Sequence, residues 1–165
     1  MSQYKHDFSR YNRFFVVKVN ALTAAAVLFL SRHVLAFIVL GIALGRTRLH
    51  IQDAFAGVLE PQYMLSDIPA LLVLFAMLGR HPKSGRIIRL IWRFGHYLLL
   101  ISAAAYLFLL GRRLGLDPTH YDWVVWLMVL GSAAAVGYVF LSPYARDVFR
   151  EFPDAESSED ERRKR

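Results

Sequence analysis

The chain of 165 residues contains no cysteine. That absence excludes a disulfide framework, a thiolate metal centre and a cysteine nucleophile. Charge is scarce as well: 20% of residues are charged and 56% hydrophobic, where a soluble domain has about 25% and about 45–50%. The 20 Lys+Arg against 13 Asp+Glu leave +7. Those charges lie almost entirely outside long apolar runs, which excludes a soluble basic nucleic-acid binder. The chain also lacks His-Glu-x-x-His, Gly-x-Ser-x-Gly and the dinucleotide-binding glycine pattern. Its Gly79–Arg86 turn (GRHPKSGR) has glycines, Lys83 and Ser84 but not the Gly-Lys-Ser/Thr order of a phosphate loop. Neither an enzymatic activity nor a cofactor is expected.

Long apolar runs are what the chain has in abundance. Trp123–Leu141 carries no charge over 19 residues, close to the ~20 that cross a hydrocarbon core. In Phe94–Gly111, His96 is the only ionisable side chain apart from tyrosine. Met64–Gly79 is short and carries Asp67 and Pro69 near its start. Extending it back to Pro61 makes a workable span, because a proline in the first turn costs no helical hydrogen bond. The first run, Phe14–Gly45, is too long for one upright helix and too short for two helices with a loop. Lys18, Asn20 and Ser31-Arg32-His33 interrupt it. A single long helix, a helix broken near Ser31–His33 and a hairpin turning there are all open, although no Gly or Pro stands at that point. A cleaved signal peptide fits poorly, since no polar mature terminus follows the apolar run.

Basic residues favour one span for this first region. Lys5, Arg10, Arg13 and Lys18, the 80–93 segment and the C-terminal Arg162-Arg163-Lys164-Arg165 then share one side. Only Arg46, Arg48, Arg112 and Arg113 fall on the other, as the cytoplasmic excess of Lys/Arg requires. Trp123 and Trp126 at one end, and Trp92, Tyr138 and Tyr144 at the other, suit headgroup-level aromatic positions. The expected fold is all-α: a bundle of four transmembrane helices at about 18–45, 62–80, 89–111 and 122–143, within a membrane domain of 14–145. A cytoplasmic arm (1–13) precedes it and a charged cytoplasmic tail (146–165), largely disordered by composition, follows. The 46–60 loop, with Leu49, Phe55, Val58 and Leu59, reads as a short interfacial helix or a plain loop.

Intramembrane polar residues are the candidate sites, because a charge in hydrocarbon is tolerated chiefly when it faces the bundle interior or a partner. Arg32 and Asp67 are expected to pair across the first two helices. On a straight first helix Arg32 lies ~12 Å deeper than Asp67, a gap that helix tilt and arginine snorkelling can close. His33, with its shorter side chain, is the less expected partner. The competing reading has Asp67 reaching outer-surface water and Arg32 bonding backbone carbonyls. Arg32, His33, Asp67, Arg93 and His96 together outline a polar path, the basis of a small transporter or channel as the alternative function. His33 and His96 as axial haem ligands find no supporting motif. Arg80, Lys83, Arg86 and Arg89 are expected at anionic lipid headgroups. Gly41, Gly45, Ala104, Gly131, Ala135 and Gly137 are expected to pack helices closely, within the bundle or against a partner helix.

Four segments carry a family resemblance: Leu30-Ser31-Arg32, Ile68–Arg80 (IPALLVLFAMLGR), Arg89–Arg93 (RLIWR) and Ala145–Phe149 (ARDVF). Over roughly residues 12–150 the chain resembles a family of uncharacterised four-span bacterial inner-membrane proteins typified by YfeZ. The resemblance implies an inner-membrane location and no catalytic residue. The function expected from all this is a non-catalytic subunit or assembly factor of a membrane complex. Its partners are the lipid bilayer and another membrane protein or a second copy, with no nucleic acid.

Overall fold

A computed structural model describes residues 18–44, 61–116 and 123–153. The N-terminal arm, Gly45, the 46–60 loop and the tail from residue 154 lie outside the described residues. Within them the chain is all-helical, with no strand. The helices are α1 (Ala21–Leu30), α2 (Arg32–Leu44), α3 (Pro61–Leu78), α4 (Arg86–Arg93), α5 (Gly95–Leu116), α6 (Trp123–Leu141) and α7 (Pro143–Arg150). By length and composition, Gly95–Arg113 of α5 and the whole of α6 can each cross a membrane. The α1–α2 pair makes a third span if its two parts count as one, and Gln62–Leu78 of α3 is apolar but shorter.

The first hydrophobic region takes the broken form. α1 and α2 meet at Ser31 with a bend of 78°. Ser31 closes α1 behind it: its N–H donates to the carbonyls of Val27 and Leu28, and its hydroxyl donates to Val27 O at 3.0 Å. The chain then restarts as α2 in a new direction. A side chain that enters the helical hydrogen-bond ladder can kink a helix without Gly or Pro, and Asp67 of α3 enters it here.

One end of the bundle is tied by side chains that include two helix caps. Asn20 Oδ1 accepts from Thr23 N at 2.8 Å and so starts α1, while its amide donates to Tyr138 Oη at 2.8 Å near the end of α6. Tyr144 Oη donates to Lys18 O at 2.7 Å. The start of α1 and the end of α6 therefore lie together. Ser142 caps α7, accepting from Ala145 N, with Pro143 in the first position.

Small residues set the helix spacing. α3 packs most extensively on α5, where Ala70, Val73 and Ala76 meet Leu99 and Ala103 in a core shared with Val27, Leu30, Ala135 and Val139. Gly131 of α6 lies under the Phe29 ring, whose Cζ would be 2.5 Å from an added Cβ. Gly95 is equally crowded, with Phe149 Cε1 at 2.6 Å from that position. Gly131 and Ala135 thus pack inside the bundle. Gly41 and Gly137 do not, since nothing lies within 4 Å of a Cβ at either. Ala104 is exposed while Ala103, one step of about 100° around the helix, is buried. An Ala-Ala-Ala run names a helix without saying which of its faces turns inward.

Candidate functional site

The polar centre of the molecule grows from the break at Ser31. A new helix begins with N–H groups that have no partner in the preceding turn. Asp67, 1% exposed, supplies it from α3: its Oδ2 accepts from His33 N at 2.7 Å and from Val34 N at 3.1 Å. A carboxylate at a helix N-terminus also meets the favourable end of the helix dipole. Its other oxygen, Oδ1, lies 2.9 Å from His33 Nδ1. Both oxygens are engaged, and the aspartate joins three groups of α2 to α3.

The partner of Asp67 is therefore His33 and not Arg32. The depth argument against His33 assumed one straight helix. The 78° turn at Ser31 removes that assumption and brings the histidine backbone and ring onto the carboxylate. Arg32 instead donates through Nη1 to Phe29 O at 3.0 Å and stacks between two rings, 4.5 Å from the Phe29 centroid and 4.3 Å from that of Tyr106. Carbonyl bonding by Arg32 is thus present, but Asp67 is buried rather than at a water surface. Arg32 Nε and Nη2 have no hydrogen-bond partner among the described residues, and neither has the buried hydroxyl of Tyr63.

Around this centre stand three rings that meet within 5.3–5.6 Å of one another: His33, Tyr63 and Tyr106. They and Arg32 border a cavity of about 290 Å³ whose far wall is Leu110, Val125 and Met128. Sequence reasoning missed Tyr63 and Tyr106. The available signal was their position as hydroxyl-bearing rings inside two apolar helices. No hydroxyl bonds to His33 among the described residues. No group of three His, Asp or Glu side chains able to hold a metal occurs among the described residues either.

This chain belongs to DUF2919. The family model, described as a protein of unknown function, matches residues 6–151 and so takes in every described helix. No curated protein and no solved structure matches.

The remaining candidates of this DUF2919 chain lie elsewhere. His96 opens α5 and contacts Tyr97 and Phe140, with ring centroids 4.0 and 5.7 Å away. Tyr106, which touches His33, is ten residues further along α5, about 15 Å of rise. Arg93 borders the same groove as His96. The five proposed path residues therefore form two groups, one at the Ser31 break and one at the start of α5. Among the expected lipid contacts, Lys83 and Arg86 are exposed, but Arg80 and Arg89 turn inward. Arg80, in the turn after α3, stacks on Trp92 at 5.0 Å and donates to Glu151 O at 2.8 Å. Burial pushes its guanidinium down to about 10, opposed by the charges of Glu151 and Tyr144, so it stays protonated at neutral pH. Arg89 donates to Pro82 O at 2.9 Å and lies over Phe152. Trp92 completes the knot, donating from Nε1 to Val148 O at 2.9 Å and stacking on Phe149.

Proposed function

We propose that the chain is a four-span bacterial inner-membrane protein of the kind typified by YfeZ, with both termini cytoplasmic. In this reading α1 and α2 together make the first crossing, and α3, α5 and α6 make the others. It acts as a non-catalytic subunit or assembly factor of a membrane complex. The observation that carries the non-catalytic part is the use of Asp67, the buried acid of the bundle. Its two oxygens hold a broken helix in place, which is an architectural task.

The association part draws on the small residues that the bundle leaves outside. Gly41, Ala104 and Gly137 have no close neighbour or are exposed. Close helix approach in lipid relies on such residues, which here remain for a partner helix or a second copy. The segregation of basic residues supports the orientation.

Purification from membranes in mild detergent, followed by mass spectrometry, tests the association. A reproducible membrane-protein partner, or a stable self-assembly, is expected. A monodisperse single chain with no partner contradicts it.

A further inference from the structure

At the start of α5 lies a groove of about 720 Å³ that the polar centre does not use. Three arginines from two helices border it: Arg93 at the end of α4, and Arg146 and Arg150 of α7. The last two are four residues apart and share a helix face. All three are exposed, and no carboxylate pairs with any of them among the described residues. No acidic side chain lines the groove. The rest of its lining is Phe94, His96, Tyr97, Val139 and Phe140; Tyr97 of α5 and Phe140 of α6 stand edge to face with centroids 6.3 Å apart, on two helices long enough to cross a membrane.

We infer that this groove binds an anionic phospholipid. The three guanidiniums take the phosphodiester, and the acyl chains run down along Tyr97 and Phe140 into the bilayer. Guanidinium is suited to phosphate through its fork of N–H donors. Basic pockets between membrane helices hold lipid headgroups in this way. A free phosphate would satisfy the arginines but leave the aromatic wall without an occupant, so the charge and the wall together select a lipid. The inference also separates this groove from the 80–89 arginines, two of which the protein itself has engaged. It rests on the membrane-embedded reading above but not on which side the termini lie.

Native mass spectrometry of the delipidated full chain, given equal phosphatidylglycerol and phosphatidylethanolamine, tests it. The expected preference for phosphatidylglycerol is about tenfold or more, abolished in the triple variant Arg93→Gln, Arg146→Gln, Arg150→Gln and kept in Arg112→Gln, an exposed arginine that does not border the groove. Should the triple variant not fold, each single replacement is expected to lower the preference by about three- to fivefold. No preference, a preference that survives these replacements, or an equal loss in the Arg112→Gln control overturns the inference. So does complete displacement of the lipid by excess inorganic phosphate, which marks a plain anion site. Retention of the chain in membranes after an alkaline wash is scored separately. A chain that is retained but shows no lipid preference fails this inference alone, whereas one released by the wash fails the membrane reading.

Discussion

Replacing Asp67 with leucine keeps a similar volume but removes both acceptors, so the N–H groups of His33 and Val34 lose their partner. We expect Asp67→Leu to lower stability by about 2–4 kcal/mol, read as a thermal midpoint in detergent. Arg32→Met should stay within about 1 kcal/mol of the parent, because removing a poorly satisfied buried charge offsets the lost stacking on Phe29 and Tyr106. If Arg32 were the counter-ion, both replacements would be costly and the exchange Arg32→Asp with Asp67→Arg would rescue folding. No rescue is expected, since an arginine at 67 offers no acceptor to His33 N and Val34 N. At this scale the sequence pointed to Asp67 as a residue needing a partner, from its place in an apolar run. It concealed which partner, because the geometry depends on a bend whose cause lies on another helix.

Among elements, the glycines divide by what lies over them. Gly131→Val should destabilise the chain by about 1–3 kcal/mol through collision with Phe29, and Gly95→Val should do likewise against Phe149. Gly137→Ala, with open space at its Cβ, should be neutral or stabilising by up to about 1 kcal/mol from helix propensity. Thermal unfolding of the three variants side by side checks the division. Gly137→Cys and Ala104→Cys then report on association: in a chain without cysteine, copies that meet through either face form a disulfide-linked dimer on oxidation, and separate copies do not. Helices α5 and α6 were readable as uninterrupted apolar runs. The Ser31 break was open among alternatives because it has no Gly or Pro. The inward turn of Arg80 and Arg89 was not legible at all, since it depends on Trp92, Glu151, Phe152 and the local turn meeting only after α6 has returned the chain to that end.

For the whole molecule, the arrangement hangs on whether a first segment bent by 78° crosses the bilayer or turns back within it. The contact of Tyr144 with Lys18 keeps the two ends of the helical region together, and four crossings satisfy that contact together with the segregation of basic residues. Since the native chain has no cysteine, a single introduced thiol reports its own side of the membrane without background. The direct measurement is labelling of Thr47→Cys and Ser158→Cys in intact cells with a membrane-impermeant maleimide. Four crossings predict that the thiol at 47 is labelled from outside and the one at 158 only after permeabilisation. Labelling of both only after permeabilisation, or of 158 alone in intact cells, would contradict the account.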